Sequence, residues 1–226
     1  MTRSINYTKY PLPRIRHHAK SGLYFPLKQQ KGNRFYYHPE IKNINWNEAF
    51  SDGKPPSLLD IGCGIGKFLV ETAIAESGKN ILGFEVRKGA VEWTEGVIAG
   101  EGIPNAKAVW YSAVNGFPFI ESGSLEKVFY FFPDPWLKKK HYKRRAFSLE
   151  LLKEIHRTLN SKGKLYLMTD VPEVDEFQQG IINGSGLFNF RYSGESEWDI
   201  SVRSNHELFC IEKEIPFIRM VCEKIM

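Results

Sequence analysis

The sequence predicts an α/β protein: a doubly wound, mostly parallel sheet of seven strands with a basic N-terminal arm. Three observations carry this expectation. Short apolar, β-rich runs alternate with segments of helical period from residue 57 onward, the pattern of parallel βαβ units. The first strand-to-helix junction, Gly62-Cys63-Gly64-Ile65-Gly66, is rich in glycine, as a tight turn beneath a ligand requires. A length of 226 residues suffices for one full core but not for two ordinary domains with linkers.

The elements follow in order. Ser57–Ile61 reads as the first strand, with Asp60 near its end, and a helix over about 66–77 follows the glycine turn. Ile81–Val86 is the second strand, a helix covers about 88–101, and Ala106–Ser112 is the third strand. Lys127–Phe132, with its aromatic and β-branched residues, is the fourth. A basic helix is expected next, its buried stripe formed by Phe147, Leu151, Ile155 and Leu159 at i, i+4 spacing. Asn160-Ser161-Lys162-Gly163 reads as its C-cap and Lys164–Met168 as the fifth strand. A helix over about 172–183 and strands at about 187–193 and 215–225 close the sheet. The loop Ser51–Pro56 places the domain at 51–226 and the partly ordered arm at 1–50.

Charge is unevenly distributed. Residues 1–39 carry Arg3, Lys9, Arg14, Arg16, Lys20, Lys28, Lys31 and Arg34 and no acidic residue, leaving 23 basic and 26 acidic residues elsewhere. The net charge of +5 therefore resides on the arm, where it suits a phosphate-bearing partner; a solvated tail is the alternative. Pro11, Pro13, Pro26 and Pro39 argue against long helices there. Tyr24, Phe25, Phe35, Tyr36 and Tyr37, set among the cations, suggest docking on the domain or on bases. Cys63, Cys210 and Cys222 show no CxxC spacing, so no zinc, no other metal and no disulfide framework is expected. With no apolar N-terminal leader and Val128–Phe132 as its longest apolar run, the chain is expected to be cytoplasmic and free of the membrane.

The glycine turn reads GxGxG across Gly62, Gly64 and Gly66. A dinucleotide fingerprint would need glycine at 67, where Lys67 stands. Asp60 just before the turn fits a ligand that carries positive charge. Glu85 lies 19 residues beyond Gly66 at the end of the second strand, where a carboxylate can accept from both ribose hydroxyls. The combination points to S-adenosylmethionine. Ser112 and Ala113, ending the third strand, are the expected adenine contacts, with Asn115 as the alternative.

After the fourth strand comes Phe132-Pro133-Asp134-Pro135-Trp136, then Lys138, Lys139, Lys140, Lys143, Arg144 and Arg145 within eight residues that include no acid. Crowded cations of this kind are suited to phosphates. The run Phe131–Arg145 resembles the signature F-x-D-P-W-P-K-x-R-H-x-K-R-R of the tRNA (guanine-N7-)-methyltransferase family. Thr169-Asp170 and Ser204-Asn205-His206-Glu207 resemble two further family segments, and the likeness runs from about residue 57 to the end. Leu137 stands where the family has proline, and Ser204 and His206 where it has Thr and Tyr.

The resemblance implies a Rossmann-like class I methyltransferase that uses S-adenosylmethionine to methylate N7 of the variable-loop guanine at tRNA position 46. It implies Asp134 as the catalytic residue, bordering the cofactor as well, and Lys138, Asp170, Ser204 and Glu207 on the substrate side. Lys139, Lys140, Lys143, Arg144 and Arg145 are implied as RNA contacts. From the residues alone, Asp170 is a carboxylate at a strand end and Glu207 an exposed acid. The family includes members that act alone and a branch that works with a non-catalytic subunit, so monomer, homodimer and complex all stay open. Two other readings compete: a methyltransferase acting on another RNA or a small molecule, and a non-enzymatic RNA-binding protein.

Overall fold

A computed structural model describes residues 4–14, 21–30 and 37–225; Arg3, Arg16, Lys20, Lys31, Arg34, Phe35 and Tyr36 of the expected arm lie outside them. The strands are β1 (Leu58–Ile61), β2 (Ile81–Glu85), β3 (Ala106–Trp110), β4 (Leu125–Phe131), β5 (Leu159–Thr169), β6 (Phe188–Tyr192) and β7 (Ile218–Lys224). They form one sheet in the order β3-β2-β1-β4-β5-β7-β6. The five strands from β3 to β5 pair in parallel, and β7 runs antiparallel between β5 and β6.

The helices are α1 (Trp46–Ala49), α2 (Lys67–Ala75), α3 (Lys88–Glu101), α4 (Leu149–Thr158), α5 (Pro172–Ser185) and α6 (Asn205–Glu212). They cover both faces of the sheet, and the two-residue period of a strand sorts the core accordingly. Leu58 joins Phe68, Leu69, Trp93 and Val97 on one face, while its neighbour Leu59 joins Phe84, Phe117, Leu152 and Ile155 on the other. Chain order reverses between β1 and β4, and their carboxyl ends open a crevice where doubly wound sheets bind ligands.

Three expectations need correction. The basic run after β4 is not the start of a helix: Lys139–Arg144 form a 3-10 turn, and α4 begins only at Leu149, capped by the Ser148 hydroxyl. Six crowded cations disfavour a helical run, whereas Ser148 accepts the Leu151 N–H at 3.2 Å. The residues Asn160–Gly163 are not a C-cap but belong to β5, which starts at Leu159. Gly163 is needed there because a Cβ would lie 3.0 Å from the Leu125 carbonyl oxygen of β4. Finally, α6 was not expected. Its apolar residues Leu208, Phe209 and Ile211 are exposed, so it carries no amphipathic stripe of the kind that betrays a helix in sequence. The stripe of Phe147, Leu151, Ile155 and Leu159 is buried as expected.

The described N-terminal residues dock at two places. Tyr7 stacks on Trp93 with ring centroids 6.1 Å apart, and the Tyr10 hydroxyl donates to Glu101 at 2.9 Å. Residues 21–30 pack beside the carboxyl ends of the central strands, where the Leu27 N–H donates to Asn115 Oδ1 at 2.8 Å.

Candidate active site

The glycine turn runs from β1 into α2 with Gly62, Gly64 and Gly66 all in the left-handed region. Gly66 shows why: its φ is +65°, and a Cβ would collide with Thr94 of α3. The turn and its surroundings line two connected spaces. A cavity of about 160 Å³ is walled by Ile61, Phe84, Glu85, Tyr111, Ser112, Ala113 and Asp134, among others. A basin of about 670 Å³ extends from Asp60, Gly62 and Gly64 past Asp134 to Asp170, Ser204 and His206.

Glu85 is 4% exposed and its carboxylate is fully engaged. Oε2 accepts from the Gly64 N–H and from Arg87 Nη2, both at 3.0 Å. Oε1 accepts from the Arg87 N–H at 2.9 Å and from Arg87 Nε at 3.0 Å. The carboxylate is thus oriented by a guanidinium fork, and a ribose hydroxyl placed here would have to share or displace one of these bonds. Arg87 was not singled out from the sequence; the signal was a cation two residues beyond the acid, at the start of α3.

Asp60 is 3% exposed, and its Oδ2 has no hydrogen-bond partner among the described residues. Burial, and then the charge of Glu85, push its carboxyl up to about 8. A buried, unpartnered carboxyl beside a glycine turn suits a ligand that brings positive charge, and the ammonium and sulfonium of S-adenosylmethionine supply it. Phe84, Tyr111 and Ala113 give the smaller cavity walls suited to an adenine ring. Ser112 reaches that cavity. Asn115 does not: its amide oxygen holds Leu27, and its Nδ2 donates to the Ser112 carbonyl at 2.9 Å.

The loop after β4 turns sharply twice. Phe132 and Trp136 both have positive φ, 46° and 42°, uncommon for bulky residues and costing about 1–3 kcal/mol each. The Phe132 N–H donates to the Met168 carbonyl at 2.8 Å, anchoring the loop to β5. Asp134, between two prolines, is presented at the junction of the two spaces. One of its oxygens accepts a short hydrogen bond from the Tyr24 hydroxyl.

Beyond Trp136, Lys138, Lys139, Lys140 and Lys143 are exposed. Arg144 stacks over Trp136 at 4.8 Å. Arg145 donates to the Pro135 carbonyl at 3.0 Å and lies 4.1 Å over Tyr142. Both arginines thus brace the loop.

The C-terminal candidates separate. Asp170 accepts from His206 Nε2 at 3.0 Å and faces the basin. Cys210 lies within 4.8 Å of both; burial and the neighbouring Asp170 and Glu207 push its thiol up, so it stays protonated. Ser204 caps α6, accepting the Glu207 N–H at 3.1 Å. Glu207 is a correction: it is buried, not exposed, and does not reach the basin. Its carboxylate closes the capping box and accepts from Arg203 at 3.1 Å and Arg219 at 2.6 Å. Folding brings in Arg219 from β7, a partner no local pattern reveals. Glu207→Ala leaves Arg219 with its ion pair to Glu195 at 2.6 Å and is expected to destabilise the protein by about 1–3 kcal/mol, read as a fall in the urea midpoint.

Comparison with known proteins agrees with this geometry. Residues 54–205 match the family model described as "Putative methyltransferase". A tRNA (guanine-N(7)-)-methyltransferase of Trichormus variabilis is 29% identical over 95% of this chain and 98% of its own length. The enzyme of that name from Buchnera aphidicola is 34% identical over 73% of this chain and 67% of its own. Among solved structures, the 16S rRNA methyltransferase KamB superimposes with a TM-score of 0.57 at 16% identity, covering 83% of this chain and 95% of that one; this likeness concerns the fold.

Fold and site together define an S-adenosylmethionine-dependent methyltransferase. Within that class, the chain belongs to the tRNA (guanine-N7-)-methyltransferase family.

Proposed function

We propose that this enzyme methylates N7 of a guanine in tRNA, the variable-loop guanine at position 46. The observation that carries the reading is the placement of Asp134, which borders both the cofactor cavity and the basin and is followed in the chain by the exposed Lys138, Lys139, Lys140 and Lys143. Family membership supports the substrate.

The chemistry asks little of the protein in proton transfer. S-adenosylmethionine supplies an electrophilic methyl on a positively charged sulfur. Guanine N7 bears a lone pair and no proton, so as N7–CH3 forms, S–CH3 breaks and the positive charge passes to the base. No general base is required, and catalysis rests on positioning and electrostatics. Asp134 can accept from guanine N1–H and N2–H₂ together, which fixes the opposite edge of the base. Trp136 stands beside that position to support the ring. Drawing the base from its stack costs a few kcal/mol, which phosphate contacts from Lys138, Lys139, Lys140 and Lys143 help to offset.

The deciding experiment incubates the protein with unmodified tRNA and methyl-labelled cofactor and maps the labelled nucleoside. 7-Methylguanosine at position 46 is expected; label elsewhere overturns the reading. Replacing Lys138, Lys139, Lys140 and Lys143 together by alanine is expected to lower the salt slope of tRNA binding by about 3, measured by filter binding. An unchanged slope would favour a small-molecule substrate.

A further inference from the structure

Residues 21–30 form a hook across the mouth of the site. The Gln30 side chain donates to the carbonyls of Gly22 at 3.0 Å and Phe25 at 2.8 Å, closing the hook on itself. Leu27 fastens it to Asn115. At its apex Tyr24 walls the smaller cavity, donates its hydroxyl to Asp134 Oδ2 and sets its ring edge-on to Trp136, centroids 5.1 Å apart. Lys143 of the basic run lies 5.9 Å over the ring of Phe25, the next residue.

These are the two groups assigned above to the target base. Guanine presents adjacent donors and a flat ring; Tyr24 presents one donor and a flat ring. Tyr24 sits on Asp134 Oδ2 and edge-on to Trp136 at once, so a base that grips Asp134 and rests on Trp136 competes with it for both. We propose that Tyr24 is a stand-in for the target guanine and thereby a specificity-determining residue, admitting a base only from RNA that also draws the hook away. The proposal rests on the reading of Asp134 as the guanine partner.

Several features fit this role. Burial and the bond to Asp134 push the Tyr24 phenol well above its ordinary value, so it remains a donor throughout the working range. Lys143 touches the hook and is also exposed to RNA, and Lys28 lies within the hook. Phosphates that recruit these cations pull on the segment holding Tyr24. A long folded RNA can supply such contacts; a short oligonucleotide supplies few.

The test compares the full-length protein with Tyr24→Phe and Tyr24→Ala on two substrates, tRNA and a short single-stranded oligonucleotide containing guanine. Removing a hydrogen bond to a charged group changes an equilibrium by about tenfold or more. The ratio of kcat/KM for the oligonucleotide to that for tRNA is therefore expected to rise about tenfold in Tyr24→Ala, and less in Tyr24→Phe, which keeps the ring. A parallel fall on both substrates would make Tyr24 a permanent wall of the site and overturn the proposal, as would an unchanged ratio.

A second measurement needs no turnover. With 3-fluorotyrosine incorporated at Tyr24, the fluorine resonance is expected to move toward that of solvated tyrosine on saturation with tRNA but not with the oligonucleotide. A resonance unmoved by tRNA overturns the proposal. Failure of every form, wild type included, to produce 7-methylguanosine would instead overturn the assigned reaction, and the resonance would still decide the displacement.

Discussion

Asp134→Ala is expected to abolish 7-methylguanosine formation while leaving tRNA affinity within about twofold. Most of the binding free energy for RNA comes from phosphates, and Asp134 touches none of the lysines that would meet them. The carboxylate acts instead on orientation. Without it, the base can enter the basin but has no fixed edge, and N7 no longer points at the methyl. Misplacement of about 1 Å is enough to lower rate by about 10², and loss of an electrostatic positioning group costs about 10²–10³ in kcat. Alanine also frees Tyr24, so affinity gained from an unplugged site partly compensates the lost contact. Nucleoside mass spectrometry of treated tRNA gives the product, and filter binding the affinity. Full activity in Asp134→Ala would refute the assigned mechanism.

Binding of S-adenosylmethionine at pH 7 is expected to release close to one proton, and Asp60→Asn to remove that release. The Asp60 carboxyl titrates near 8 in the folded protein, against about 4 in an unfolded chain. At pH 7 the folded protein therefore holds a proton here that the unfolded chain lacks. An ammonium placed beside the carboxyl favours its charged form and expels that proton. Calorimetry in two buffers of different ionisation enthalpy reads the release; equal heats would contradict it. The same shift makes the protein lose stability as pH rises, because between pH 4 and 8 the folded state binds more protons than the unfolded one. The slope is about 1.4 kcal/mol per pH unit and levels above pH 8. From pH 5 to 8 the loss from this group is on the order of 3 kcal/mol, and in Asp60→Asn that contribution to the fall of the urea midpoint is expected to be missing. Loss of the charge-assisted contact should also weaken cofactor affinity by about 10- to 100-fold.

Much of this site was legible in the chain because its parts are local. Gly62, Gly64 and Gly66 all take a positive φ, which favours glycine, and Asp60, Glu85 and Asp134 each sit within a residue or a few of a strand end. The alternation of strands and helices was enough to give a doubly wound, mostly parallel sheet, while the strand order came from the structure. Features that depend on distant partners were not legible. Glu207 looks like a surface acid until Arg219, twelve residues away on β7, is folded against it. The basic run looks helical until its arginines are seen braced on Trp136 and Tyr142.

The sequence by itself determined the fold class, the glycine turn after β1 and the loop that carries Asp134, since each follows from backbone conformation or from residue type at a strand end. Only the tertiary structure decided what those groups touch. Asp60 is left without a hydrogen-bond partner at Oδ2 among the described residues, and Tyr24 reaches Asp134 across 110 positions of chain. Such contacts arise from burial and from elements brought together by the sheet, and neither quantity is written in the spacing of residues along the chain.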